Sequence, residues 1–270
     1  MLCAASPMNE YSEKSTAFQQ ARLKSESLNG RLKVQMPRIT LVGIGPGPVS
    51  CLTKEAEAEL IRADKIFFRL GSHPVYDWLR GLGKQLISFD LLYTTNWPNP
   101  EDIYEFMVSA ILKEASLRGE VIYTVPGSPA ILEDTTNLIR LWAPREQVEV
   151  KVIDGVSFLS QALAEIRFDF SLGLQIVLPL THLQHGRFTN RLALLVCQIE
   201  AARLPQDAPR VDLTAEFLLQ AYPADHPVTL IWTDGMPDYK MQSKVVALKD
   251  LVRDYGEPKF FASIYVPPVE

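Results

Sequence analysis

The run Ile39-Thr40-Leu41-Val42-Gly43-Ile44-Gly45-Pro46-Gly47-Pro48 constrains the fold of this chain more than any other segment. Its apolar start has the character of a buried strand, and glycines then recur at alternate positions. Glycine lets a backbone bend sharply and approach another backbone or a ligand closely. A helix is expected next, with Thr53 as its cap and Glu55, Glu57 and Glu59 in its early turns. A turn of this kind at the carboxyl end of a parallel strand is where open α/β sheets bind nucleotides and nucleotide-like cofactors.

The turn alone leaves alternatives. A Walker loop is excluded, since no Gly-Lys-Ser/Thr follows. A dinucleotide turn wants GxGxxG with an acid closing the second strand; here the spacing is GxGxG, and that strand ends in Phe68-Arg69. Arg69 would suit a 2′-phosphate, so NADP stays open. A tight βα turn whose glycines serve only local geometry stays open as well.

Apolar stretches of strand length alternate with helix-like ones from Arg38 onward. Strands are expected at Ile39–Val42, Lys65–Phe68, Leu86–Phe89, Glu120–Val125 and Val148–Ile153. Helices are expected after Leu52, after Pro74, and over Asp102–Arg118, Pro129–Trp142 and Ser157–Ile166. This alternation predicts βαβ units and a parallel sheet covered on both faces. After Asp169 the pattern changes. Leu174–Leu178, Leu192–Cys197, Val228–Trp232 and Ala262–Val266 have strand character, with helices expected at Leu213–Ala221 and Leu248–Tyr255. Surface loops are expected at Pro205–Arg210 and Gly235–Tyr239. The predicted organisation is a polar, flexible leader over 1–37, with weak helical character at Phe18–Leu23, then an N-terminal α/β domain over 38–169 and a mixed α/β domain over 170–270.

Composition narrows the function classes. With 270 residues, 47% of them hydrophobic, the chain can bury one large core or two modest ones. A net charge of -5 argues against general nucleic-acid binding. No apolar run reaches the roughly 18 residues of a membrane span. Cys3, Cys51 and Cys197 form no disulfide framework, and the start of the chain lacks the pattern of a secretory signal. A reducing, cytoplasmic setting is the expectation. His182 and His185 have i, i+3 spacing without a supporting Cys or carboxylate pattern, so no metal is expected. Trp78, Trp142 and Trp232 are expected in cores or interfaces.

Three turns in order and at fitting spacing carry a resemblance: Gly43-Ile44-Gly45-Pro46-Gly47 with Leu52-Thr53, Val125-Pro126-Gly127-Ser128-Pro129, and Asp154-Gly155-Val156-Ser157. With them the segment from Arg38 to Glu270 resembles the tetrapyrrole (corrin/porphyrin) methylases, which transfer a methyl group from S-adenosylmethionine (SAM). Within the family, Phe68–Val75, Ser88–Tyr93 and Ile264–Pro268 look most like the methylase-like domain that precedes MazG-type nucleotide pyrophosphohydrolases. A weaker likeness, to borosin-type peptide-backbone N-methyltransferases, lies in Asp90–Tyr93, Asn96-Trp97-Pro98 and Tyr104.

The resemblance implies a two-domain α/β fold, SAM in the cleft between the domains, a small-molecule or peptide methyl acceptor, and a homodimer. It places cofactor contacts at Gly45 and Pro46, at Val125, Gly127, Ser128 and Ile131, at Ser157 and Phe158, and at Gln198 and Ile199. A helix beginning near Pro129 would offer free N–H groups to the methionyl carboxylate. Arg69, His73, Tyr93 and Tyr104 are candidates near the cleft. Arg69 would bind a substrate carboxylate or amide oxygen and Tyr93 would orient the nucleophile; His73 packing on the sheet edge is the alternative for that residue. Three positions depart from the family pattern: Pro48, Ser128 and Asp154 stand where relatives carry Asp, Asp and Pro. A non-catalytic domain that senses SAM or a nucleotide-like ligand is therefore the alternative of a different class.

Overall fold

The computed structural model describes residues 36–95, 97, 100–199, 211–234, 240–256 and 260–269. Outside these lie residues 1–35 of the expected leader, the expected loops at 205–210 and 235–239, and Asn96 and Pro98.

The first half is a five-stranded, wholly parallel sheet in the order β3-β2-β4-β1-β5. Its strands are β1 (Arg38–Gly43), β2 (Lys65–Phe68), β3 (Gln85–Ser88), β4 (Glu120–Val125) and β5 (Glu149–Ile153). Between them run α1 (Lys54–Arg62), α2 (Pro74–Gly81), α3 (Pro100–Arg118) and α4 (Asp134–Trp142), and α5 (Phe158–Glu165) follows β5. Alternation along the strands divides the core in two, because successive side chains point to opposite faces. Ile39 and Leu41 pack with Ile103, Met107 and Ile111 of α3 and Ile139 of α4. Val42 and Ile44 pack on the other face with Ala56 and Leu60 of α1 and Val75 and Leu79 of α2. Both faces are covered, as the near-continuous apolar strands require.

Register decides where the turns go. Gly43 pairs with Val125, and Val42 pairs with Ile153. Strands β4, β1 and β5 therefore end level, and the turns that follow them sit side by side.

The second half is a mixed sheet in the order β6-β7-β10-β8-β9. Its strands are β6 (Leu174–Val177), β7 (Ala193–Val196), β8 (Pro227–Thr233), β9 (Met241–Ala247) and β10 (Phe260–Val266). Only β6 and β7 run parallel. One face carries α6 (Val211–Leu219) and α7 (Leu251–Tyr255), with Leu194, Val196, Leu218, Leu230 and Leu251 in a shared core. The opposite face, through Leu195, Cys197 and Ile231, packs on Ala162, Phe158 and Leu159 of α5. Helix α5 thus follows the last strand of the first sheet and packs on the second.

Two expectations are corrected. The helix expected from Pro129 begins only at Asp134, because Leu132 turns left-handed (φ 51°) and Glu133 caps the helix by accepting from the Thr135 N–H. Strand β9 is absent from the sequence reading: it is an edge strand, and Ser243, Lys244 and Val245 lie exposed along it. Among the described residues no helix is long and apolar enough to cross a membrane.

Candidate active site

The three turns are built on one another. Gly45 N–H donates to Gly127 O at 3.2 Å, and Gly127 N–H donates to Gly45 O at 2.7 Å. A Cβ on Gly43 would lie 2.5 Å from Gly155 N and 2.6 Å from Gly127 O, and a Cβ on Gly155 would strike Gly127 O and the Gly43 carbonyl. Real Cβ atoms do not approach backbone this closely, so Gly43 and Gly155 are glycines because the turns touch backbone to backbone. Gly127 differs. Its φ is +69°, yet a Cβ there would meet nothing nearer than Phe158 N at 3.9 Å. A gap that would take a Cβ in ordinary contact therefore separates Gly127 from the first residue of α5, where the initial N–H groups of a helix lack intrahelical partners. The Ser157 hydroxyl accepts from Leu159 N–H at 3.1 Å, and no hydrogen bond fixes the Phe158 N–H among the described residues.

His73 locks the first turn from below. Its Nδ1 accepts from the Val75 N–H (3.3 Å), which caps α2, so its proton sits on Nε2 and is donated to Gly45 O at 3.2 Å. Burial pushes the imidazole pKa down to about 4, despite the opposing bond to Gly45, and the ring is neutral at pH 7. The edge-packing expectation for His73 becomes a specific brace on the glycine turn.

The departures from the family pattern are all engaged locally. Pro48 precedes a short 3-10 turn at Val49–Cys51. The Ser128 hydroxyl accepts from Ala130 N–H at 3.1 Å. Asp154 Oδ1 accepts from Gly155 N–H at 2.8 Å, and its carbonyl accepts from the Thr53 hydroxyl at 3.3 Å. Thr53 also caps α1 as expected, accepting from Ala56 N–H.

On the second sheet, Gln198 follows β7 with φ 55°, and its Nε2 donates to Leu132 O at 3.2 Å. Two non-glycine residues in the left-handed region are thus bonded where the loops of the two sheets meet. Each costs of order 1–3 kcal/mol, and such strain clusters at functional sites. Of the other expected cofactor contacts, Ile131 and Phe158 are half-buried beside the turns, and Pro46 is buried within the first. The side chains of Val125 and Ile199 are fully buried in the cores of the first and second sheets, so only their backbone can face a ligand.

Arg69, Tyr93 and Tyr104 come together from three elements. Arg69 follows β2, and its backbone N–H donates to Thr124 O. Its Nε donates to Tyr93 Oη at 3.0 Å and its Nη2 to Tyr104 Oη at 3.5 Å, while Nη1 pairs with Glu133. The guanidinium also lies 5.3 Å from the centre of the Tyr104 ring. Glu133 Oε1 accepts from the Thr135 hydroxyl at 2.7 Å; that hydroxyl has one proton, so Tyr123 donates to Thr135 across 2.9 Å. Burial, which alone would lower the Arg69 pKa, is outweighed by Glu133, and the pKa rises well above its ordinary value. Burial raises Tyr93 and Tyr104 despite the nearby guanidinium, so both keep their protons at neutral pH. Glu133, Thr135, Tyr123 and Leu132 were not among the sequence candidates. Glu133 lay inside an expected helix, where an exposed acid is ordinary. A pocket of about 370 Å³ between Leu183, Phe188, Asn190 and Phe217 belongs to the second half and adjoins none of these groups.

Level turns on a parallel sheet, a mixed second sheet, and strained loops at their meeting point define a two-sheet α/β protein of the methylase type. The model of the tetrapyrrole (corrin/porphyrin) methylases matches residues 38–249, and the chain belongs to that family. It is 31% identical over 233 residues to the uncharacterized protein YabN of Bacillus subtilis (strain 168). That match takes in 86% of this chain but only 45% of the relative, so the chain spans less than half the length of the curated protein it matches. Among solved structures, uroporphyrin-III C-methyltransferase from Thermus thermophilus superposes with a TM-score of 0.61 at 17% identity, over 86% of this chain and 92% of that one. The same enzyme complexed with S-adenyl homocysteine gives 0.59 at 19%, over 85% and 92%. The cobalt precorrin-4 methyltransferase CbiF gives 0.63 at 16%, over 89% and 98%. At these identities the structures share the fold.

Proposed function

We propose that this chain is a SAM-dependent methyltransferase whose methyl acceptor is not a tetrapyrrole. The observation that carries the reading is Gly127, left-handed and free of any close backbone contact beside the N-terminus of α5, in a cluster of turns otherwise packed backbone to backbone. Gly127 and Ser128 would line the cofactor's polar end, and the Phe158 N–H would meet its carboxylate. Ile131, Phe158 and Gln198 would flank the remainder, with backbone contributions from Pro46, Val125, Ser157 and Ile199. SAM, when bound, supplies a methyl group on a sulfonium that is already a good leaving group. The protein's own task is then alignment of the acceptor. Arg69, Tyr93 and Tyr104 provide fixed hydrogen-bond donors for it, and the neutral His73 holds the first turn in place.

A second reading has its own observation. The side chains of Ser128 and Asp154 bond within their own turns, and Pro48 supplies no carboxylate. A domain that binds SAM without fast turnover fits those facts. Calorimetric titration with S-adenosylhomocysteine (SAH) tests both readings. Binding with a Kd on the order of 10 µM, abolished by Gly127→Val, is the expected result, and the absence of heat would overturn both. Methyl transfer from labelled SAM to a fractionated metabolite and peptide pool separates them.

A further inference from the structure

We propose that Arg69, Tyr93 and Tyr104 form a niche for an uncharged carbonyl oxygen, as in an amide, ester or ketone, and that Glu133 is the positioning residue that prevents it from accepting a carboxylate. The proposal deepens the methyltransferase reading by naming the chemical class of the methyl acceptor, and it rests on that reading only for calling the niche an acceptor site.

The donor-bearing side chains are less buried than the acceptor. Glu133 is only 4% exposed, and both its oxygens are engaged by the chain. One oxygen takes the Thr135 N–H and hydroxyl, and the other takes Arg69. The Arg69 side chain keeps 16% exposure, and Tyr93 and Tyr104 are half-buried. The cluster thus keeps partial exposure, and the hydrogen-bonding groups of its three less buried members are N–H and O–H donors. Of the five guanidinium N–H bonds, three point at Glu133, Tyr93 and Tyr104, which leaves two among the described residues. Each tyrosine oxygen accepts from Arg69, so each hydroxyl proton points elsewhere. Both tyrosines hold those protons at neutral pH because burial disfavours the phenolate.

Charge then decides which oxygen fits. The Arg69 cation is cancelled by Glu133, so the niche is neutral as a unit. An incoming carboxylate would place an uncompensated negative charge beside a buried glutamate, with Asp134 also acting on Tyr104. Burying an unpaired charge is far more costly than burying a hydrogen-bonded neutral group. A carbonyl oxygen asks only for donors, and the niche supplies them. A polycarboxylate therefore has no favourable place there, in contrast to the acceptor named for the uroporphyrin enzyme.

Ligand-observed NMR with acetamide and acetate as probes tests the proposal on the full chain. Saturation transfer to acetamide and none to acetate is expected of the unmodified protein, with the acetamide signal lost in Tyr93→Phe/Tyr104→Phe. Glu133→Gln should reverse the preference, with acetate favoured by roughly tenfold, because the Arg69 charge is then uncovered. Equal binding of both probes to the unmodified protein, or binding of neither, would overturn the proposal. Should Glu133→Gln fail to fold, Arg69→Gln/Glu133→Gln keeps the niche neutral, and it must keep rejecting acetate. A second signature separates positioning from mere structure. In Glu133→Gln the Tyr93 phenol should ionise at lower pH by ultraviolet difference titration, and an unmoved titration would remove Glu133 from the role. SAH calorimetry on the unmodified protein keeps the two readings apart: SAH binding without any acetamide binding sinks the niche alone, and acetamide binding without SAH binding sinks the methyltransferase reading alone.

Discussion

At the scale of single residues, the glycines of one turn cluster divide by what surrounds them. Gly155→Ala must push its methyl into Gly127 O and the Gly43 carbonyl, neither of which can swing aside. It should cost about 3 kcal/mol or more, the upper range for overpacking, read as a lowered urea midpoint. Gly127→Ala meets no such wall and should cost about 1–2 kcal/mol for its left-handed backbone, while its methyl comes into contact with Phe158 N and weakens SAH binding at least roughly tenfold. If both variants lose stability equally and bind SAH alike, the distinction fails. His73 makes a separate prediction. The unfolded chain takes up its proton near pH 6.5, whereas the native imidazole resists until about pH 4. The folded state is therefore progressively destabilised as pH falls from 6.5 towards 4, by up to roughly 3 kcal/mol. Urea unfolding across that window should show the decline, and His73→Gln should flatten it. Arg69, Tyr93 and Tyr104 are candidates in the sequence because the resemblance puts them near the expected cleft. Glu133 carried no signal, since its meaning comes from Leu132 reversing the chain before it.

At the scale of elements, period was a good guide where both faces of a strand are buried. The inner strands β1, β2 and β4 fall within a residue or so of their apolar runs, because burial on both sides leaves little room for polar interruptions. It failed at β9, where one side of an edge strand faces solvent and Lys244 and Ser243 break the run. It failed again at the start of α4, since a left-handed leucine is decided by tertiary contact and not by propensity. That leucine and Gln198 form the link between a loop of the first sheet and a loop of the second. Gln198→Ala removes the Nε2 bond to Leu132 O and should cost about 1 kcal/mol. The same change should weaken SAH binding by more than that stability loss, because the loop after β7 loses its fixed position. Thermal unfolding and calorimetry on one preparation check the pair of effects, and an unchanged SAH affinity would place Gln198 outside the site.

At the scale of the whole molecule, one helix ties a turn of the first sheet to the face of the second. Helix α5 contributes Ala162, Leu159 and Phe158 to the face of the second sheet, while its first turn borders the glycine cluster of the first. The homodimer implied by the resemblance is a proposal at this scale, and light scattering should return twice the 30.3 kDa of one chain. Ligand linkage gives the sharper expectation. A ligand held at Gly127, at the start of α5 and at Gln198 touches loops from both halves, and it binds only when all three are in place. Occupancy at 100 times Kd stabilises the folded state by about 2.7 kcal/mol. For a chain of this size, that is a rise in Tm of roughly 5–10 °C. The rise should appear in both halves, so any separate unfolding of the two sheets in free protein should merge into one transition with SAH present. Gly127→Val should abolish the rise, and Gln198→Ala should leave the transitions split even at saturating SAH. Scanning calorimetry that shows the first sheet alone stabilised would confine the cofactor to the glycine turns and remove the second sheet from its binding.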